Sequence, residues 1–353
     1  MLTLLFVLII IGLLILAHEW GHFYSARKLE VKVEEFGFGF PPKIISWVRG
    51  GIKYSVNLLP LGGFVKIFGE HGEGAGNRES FISRPAWQRF IILAAGVGMN
   101  IVLAWVFFSA GTLAGLPYAV DDQKVPISVV GVLPGSPAEK VGLKFGDQIL
   151  RITTSNEQEK INEEQQVRNF SEKYGGKEIT LIIKRQEEVL NINIVPRAEY
   201  PIGEGPMGIA LARITTQAVS WYQAPWEGLK TLGRSIVLTV SGLVFILKEL
   251  ILEQKTSIAV SGPVGIFTMV GDSRSLGLGY LLQLAGLLSV NLAILNFLPI
   301  PALDGGRVLF LGIEKIRGKK VSPKWENAAH AIGFALLIFL MILVTFKDIS
   351  RVL

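Results

Sequence analysis

The chain has 353 residues, half of them hydrophobic, and a mean hydropathy of +0.45. That is too apolar for an ordinary soluble protein and calls for several membrane spans, with room for one soluble domain of about 90 residues. The net charge of +6 comes without a long basic run or an aromatic-basic platform, so it reads as membrane topology rather than nucleic-acid binding; the lack of cysteine excludes a disulfide framework and a thiolate zinc site.

Residues 1–26 form the first predicted span. Leu2 to Ala17 carries no charge. It lacks the basic start and small-residue cleavage site of a signal peptide, so it is expected to persist as an uncleaved helix. It ends in His18-Glu19-Trp20-Gly21-His22, an H-E-x-x-H pattern. Residues four apart share a helix face, so His18 and His22 can hold one Zn²⁺ between them. Glu19, one position on, can serve as general base toward a water on that metal. The bland alternative is a helix end with snorkelling polar side chains, but ionisable groups at the inner end of a membrane helix are costly unless they have a task. From Thr3 to His18 a helix rises roughly 22 Å at ~1.5 Å per residue, which puts the metal well inside the hydrocarbon core.

Residues 27–87 read as a cytoplasmic-side loop. Gly37-Phe38-Gly39-Phe40-Pro41-Pro42 signals a turn. Ile52 to Ile67 reads as a membrane-associated β-hairpin, with Pro60-Leu61-Gly62-Gly63 as its turn. Such a hairpin either rests on the bilayer or offers an edge to an unwound substrate by strand addition. His71 falls in a polar, glycine-rich loop. The second span is 88–116, where the small-residue face Gly96-Val97-Gly98-Met99-Asn100 suits close helix packing and Asn100 can hydrogen-bond across helices.

Residues 125–212 alternate short strands and helices. Pro134-Gly135-Ser136-Pro137-Ala138, Gly142-Leu143 and Gly146-Asp147 resemble a PDZ domain of the circularly permuted bacterial type, with Met207-Gly208-Ile209 as candidate carboxylate-binding turn. Its groove either takes a peptide terminus or only crowds access to the membrane site. Residues 213–275 are expected to be interfacial: Trp221, Tyr222 and Trp226 form an aromatic belt, and the apolar stretch 236–247 is too short for a span. The third span, within 276–306, runs into Asn296-Phe297-Leu298-Pro299-Ile300-Pro301-Ala302-Leu303-Asp304-Gly305-Gly306. Prolines and glycines break the helix there, and Asp304 beyond the break is a candidate third zinc ligand. Residues 307–327 form a basic loop and 328–347 a fourth span, with His330 near its start read as interfacial.

The basic loops place 27–87 and 307–327 in the cytoplasm, so four spans leave the PDZ-like domain outside. The first and third spans then run the same way, and His18, His22 and Asp304 meet at similar depth. A fifth span at 236–247 would move Asp304 to the opposite side.

The H-E-x-x-H pattern, the PDZ-like insert and Asn296-x-x-Pro299-x-Pro301-x-x-Asp304-Gly305 together resemble the site-2 protease family of intramembrane zinc metalloproteases, in the regulator-of-sigma-E arrangement with one PDZ domain. Gly37-Phe38-Gly39 and Gly262-Pro263-Val264-Gly265-Ile266 match stretches typical of that family, while Val97 stands where it usually has proline. The resemblance implies a polytopic α-helical membrane protein with an inserted extracytoplasmic PDZ-like domain, in the cell (inner) membrane, with its active site toward the cytoplasm. It implies one Zn²⁺ on His18, His22 and Asp304 with Glu19 as catalytic base. Asn296, Pro299, Pro301, Gly62 and Gly63 form the expected substrate-binding set. The implied reaction is hydrolysis of a peptide bond inside the transmembrane segment of a pre-trimmed single-pass protein, such as an anti-sigma factor or a signal-peptide remnant. The rival readings are an inactive PDZ scaffold and a metal transporter; intact His18, Glu19, His22 and Asp304 weigh against the first, and the shortage of further intramembrane ligands against the second.

Overall fold

The computed structural model describes residues 2–120, 122–133, 135–155, 157–185, 187–201, 204–217, 219–252 and 262–352. Its described residues fall into two units, one of residues 1–111, 221–271 and 282–353 and one of residues 112–220 and 272–281.

In the first unit α1 (Leu2–Lys28) packs against α2 (Ala86–Leu113). Glycines permit the approach: a Cβ on Gly21 would lie 2.2 Å from the Ala95 carbonyl oxygen. Between these helices lie β1 (Val33–Arg49) and β2 (Ile52–Ile67), an antiparallel pair. The expected hairpin of residues 52–67 is corrected here. Its two arms do not pair with each other, because the first half of β1 lies between them. Phe36 stands opposite Val65 on one side and Tyr54 on the other, and the second half of β1 closes on β2 through Trp47 opposite Tyr54. The sheet is anchored by Val33, Ile52 and Ile67 packed on Phe23, Ile92 and Leu93. Its far end leaves Ile44, Ile45, Trp47 and Val48 exposed.

The stretch expected to be a short interfacial helix is α5 below, and its length is the second correction. In chain order the second unit comes first. It holds a sheet of β3 (Leu116–Ala119), β4 (Ile127–Val132), β5 (Gln148–Thr153), β6 (Gln158–Lys160), β7 (Ile179–Arg185), β8 (Glu188–Ile194) and β9 (Ile209–Gln217), in the order β3-β9-β4-β5-β7-β8 with β6 beside β5. Two helices, α3 (Pro137–Lys140) and α4 (Glu164–Lys173), belong to it, as do residues 272–281. Val129, Ile149, Ile152, Val167, Phe170, Leu181 and Ile183 form its core. Buried Asp147 takes a two-pronged ion pair from Arg185, at 2.7 Å on each carboxylate oxygen.

Back in the first unit, α5 (Ala224–Leu252) is one helix of 29 residues, so the argument from a 12-residue apolar stretch does not hold. Thr239 and Ser241 do not end it, since each finds an oxygen nearby: Thr239 Oγ1 donates to Asn291 Oδ1 at 2.9 Å and Ser241 Oγ to the Leu238 carbonyl at 3.1 Å. α6 (Pro263–Leu276), α7 (Leu278–Phe297), α8 (Asp304–Arg317) and α9 (Pro323–Val352) follow. The expected basic loop at 307–327 is therefore mostly helix, stopped by Gly318 in the left-handed conformation at φ 67°.

Five of the described helices, α1, α2, α5, α7 and α9, are long and apolar enough to cross a membrane. Contacts fix their relative directions. His18 meets Asn100 while His22 meets Ile92, so α1 and α2 are antiparallel. Asn100 meets Ser289 while Phe108 meets Gly286, so α2 and α7 are antiparallel as well. α1 and α7 thus run the same way, as the sequence argument required, and a long α5 does not prevent it.

Candidate metal centre

Helical spacing puts His18 and His22 on one buried face of α1, their Nε2 atoms 3.2 Å apart. The third donor arrives from the other end of the chain. α7 stops at Phe297, and residues 298–303 turn sharply before α8 begins at Asp304. Asp304 Oδ2 lies 3.0 Å from His18 Nε2 and 3.2 Å from His22 Nε2. The three form a possible metal site whose ligand atoms all lie within 4.8 Å of one another.

Whether these residues fit a zinc ion is decided by their surroundings. His22 Nδ1 is 2.8 Å from the Ile92 carbonyl oxygen, which can only accept, so the ring proton sits on Nδ1 and Nε2 presents its lone pair inward. Asp304 Oδ2 is buried and makes no hydrogen bond of acceptable geometry, although two imidazole nitrogens stand beside it. Two imidazoles, one carboxylate and no thiolate make the donor set of catalytic zinc. The site fits.

Gly96 makes room for it. A Cβ there would stand 2.3 Å from His22 Nε2 and 2.8 Å from His18 Cε1. Glycines also shape the break before Asp304: a Cβ on Gly305 would meet the Leu298 carbonyl oxygen at 2.1 Å, and one on Gly306 that of Ile300 at 2.4 Å.

Glu19 shares with His18, His22 and Asp304 the wall of a cavity of about 420 Å³. The second half of β2 supplies another wall through Gly63, Phe64, Val65 and Ile67. Of the expected substrate-binding residues, Gly63 lines this cavity and Gly62 is buried next to it on β2. Asn296 Nδ2 is 3.5 Å from His18 Nε2. Pro299 is exposed and Pro301 lies outside the cavity wall, its carbonyl instead closing on Gly333 of α9.

His330, expected to be a plain interfacial residue, is built into this region. Its Nδ1 accepts the Ala302 N–H at 2.8 Å, and it lines the cavity. Ala302 has φ 83°, a left-handed conformation unfavourable for a residue with a Cβ. No sequence pattern near position 330 announces that bond. The Ile92 carbonyl is likewise invisible to motif reading, being a backbone atom.

Comparison with known proteins agrees with this chemistry. A chain from Clostridium perfringens named "Putative zinc metalloprotease CPE1693" is 34% identical, with 98% of each chain covered. Zinc metalloprotease RasP of Shouchella clausii is 30% identical and that of Oceanobacillus iheyensis 28%, each with 99% of both chains covered. The sequence model of peptidase family M50 matches residues 6–340, nearly the whole chain. With that match running from the first helix, which carries both histidines, to the last, the chain belongs to peptidase family M50, the site-2 proteases, and is a multi-pass membrane zinc metalloprotease.

Proposed function

We propose that this protease hydrolyses a peptide bond inside the membrane-spanning segment of a single-pass protein already trimmed outside the membrane. Anti-sigma factors and signal-peptide remnants are substrates of that kind. The observation that carries the proposal is the gathering of buried His18 and His22 with half-buried Asp304 among helices long enough to cross a bilayer.

His18, His22 and Asp304 would hold the zinc, which when bound polarises a carbonyl and acidifies water. Glu19, on the same cavity wall, takes the proton of the attacking water and returns it to the leaving amine. A substrate helix has its carbonyls locked in i→i−4 bonds, so it must unwind before attack. The second half of β2 borders the cavity, which supports a strand-like seat for the unwound segment, with Gly62 and Gly63 at its start. Asn296, close to His18, is assigned to orient substrate, and Pro299 and Pro301 to hold open the break beside it.

We infer four crossings, α1, α2, α7 and α9, with α5 inserted without completing a fifth. The common direction of α1 and α7 supports this, because it needs an even number of crossings between α2 and α7. The second unit is then an extracytoplasmic PDZ-like domain in the inner membrane's outer space, and the metal lies toward the cytoplasm. A groove between α4 and β9, lined by Val167, Met207, Ile209 and Leu211, is the proposed seat of a peptide tail.

The test is co-expression of a tagged, pre-trimmed single-pass substrate with wild type or Glu19→Gln, with fragments followed by gel and zinc measured in both purified proteins. Cleavage by wild type alone, with zinc kept by both, supports the proposal. Equal cleavage by both removes Glu19 from the chemistry. Zinc with no cleavage of any helical substrate by wild type favours an inactive scaffold.

A further inference from the structure

The two histidines are held differently from behind, although both backing groups belong to α2. His22 Nδ1 faces the Ile92 carbonyl oxygen at 2.8 Å, an acceptor with no alternative role. His18 Nδ1 faces the side-chain amide of Asn100, whose Nδ2 lies 3.3 Å away. Asn100 is fully buried, and its Oδ1 has no hydrogen-bond partner. Its backbone is fixed from the far side, where Ser289 Oγ donates to the Asn100 carbonyl at 2.8 Å.

A carboxamide is a donor at one end and an acceptor of nearly the same shape at the other. With Nδ2 toward His18, Asn100 donates to Nδ1, and the ring proton sits on Nε2, within reach of Asp304 Oδ2 at 3.0 Å and His22 Nε2 at 3.2 Å. After a half-turn of the amide, Oδ1 accepts Nδ1–H, and Nε2 becomes a lone pair directed at the metal position. A carbonyl offers only the second of these arrangements. Asn100 alone serves both, and its buried, unsatisfied oxygen is what the half-turn would satisfy.

Resting on the metal-site reading above, we propose that Asn100 is a positioning residue that sets the His18 tautomer: its amide turns over as the His18 ring proton moves between Nε2 and Nδ1, the second leaving Nε2 free to ligate, while His22 is held permanently in the ligating form by Ile92. His18 is then the adaptable ligand of the pair. A residue acting behind a metal ligand in this way typically changes metal affinity about 10- to 100-fold when removed.

Two measurements test this. The first is zinc affinity, by chelator competition on purified full-length protein, for wild type, Asn100→Leu, Asn100→Asp and His18→Ala. Asn100→Leu keeps the volume and loses both hydrogen-bonding ends, so its affinity should fall about 10- to 100-fold. Asn100→Asp keeps the acceptor and should bind as tightly as wild type or more so. Wild-type affinity in Asn100→Leu overturns the proposal, as does an equal fall in Leu and Asp variants with unchanged helix content. His18→Ala separates the two levels: if it too keeps wild-type affinity, the metal-site reading itself fails. The second measurement needs no variant. Histidine ¹⁵N resonances of the wild-type protein, with and without added zinc, should show the proton of His18 moving from Nε2 to Nδ1 while that of His22 stays on Nδ1. An unchanged His18 tautomer, or a matching change at His22, overturns the proposal even if the variants do not fold.

Discussion

Gly96→Ala is the sharpest test of how the metal centre is built. The added Cβ would lie 2.3 Å from His22 Nε2 and 2.8 Å from both His18 Cε1 and His22 Cε1. Ordinary heavy-atom contact is about 3.5 Å, so the imidazoles or the helix must yield by roughly 1 Å. α2 cannot retreat freely from α1, because α7 holds its other side, with Ser289 Oγ donating to the Asn100 carbonyl and Phe108 against Gly286. Metal ligands tolerate displacements of only about 0.2 Å from ideal distances, so the shift falls on the histidines and unmakes their geometry. Losing the alignment of one ligand should weaken zinc by about 100-fold or more, roughly 2.7 kcal/mol, on top of an overpacking cost of about 1–3 kcal/mol to the fold. Gly98→Ala is the matched control, since a Cβ there meets nothing within 4 Å. Chelator competition on both variants, with circular dichroism to confirm helix content, gives the comparison. If Gly96→Ala, fully folded, holds zinc as tightly as Gly98→Ala, the contact between α2 and the donors is not as described.

Further expectations concern the supports of the site and the second unit. His330→Ala removes the acceptor for the Ala302 N–H, so the turn that carries Asp304 should loosen and zinc affinity should fall; His330→Asn, which can still accept, should recover part of it. Ala302→Gly relieves the positive φ and should raise thermal stability by about 1 kcal/mol, read from the melting transition. In the second unit Arg185→Leu leaves Asp147, 1% exposed, as an uncompensated buried charge, and should cost about 3–5 kcal/mol in denaturant unfolding without changing zinc content. Ser136→Ala removes the side-chain oxygen that accepts the Glu139 N–H at the start of α3 and should cost about 1 kcal/mol by the same assay.

What could be read from the chain followed from the range of the interactions involved. His18, Glu19 and His22 are legible because four residues of helix bring two donors to one face without help from the rest of the fold. Asp304 is legible because two prolines and two glycines announce a break that a bilayer tolerates only for a reason. The sheet departs from the local pattern because pairing between residues 53–58 and 64–68 is the short-range solution, whereas β1 inserts through long-range contacts with Phe23 and Ile92 that no local pattern encodes. α5 runs beyond the apolar stretch 236–247 because the hydroxyls of Thr239 and Ser241, satisfied by Asn291 and by the preceding turn, let a helix continue. The backing groups at Ile92, Asn100 and His330 depend on which helices become neighbours. Only the packed structure supplies that.

The order in which the metal donors appear along the chain has a consequence for biosynthesis. His18 and His22 leave the ribosome first, in the first helix. Ile92, Gly96 and Asn100 follow with the second. Asp304 comes only after the whole second unit and α7 have been made. A nascent chain therefore carries two imidazoles and a glutamate in its first described helix but no complete candidate zinc site until the start of α8 has been made.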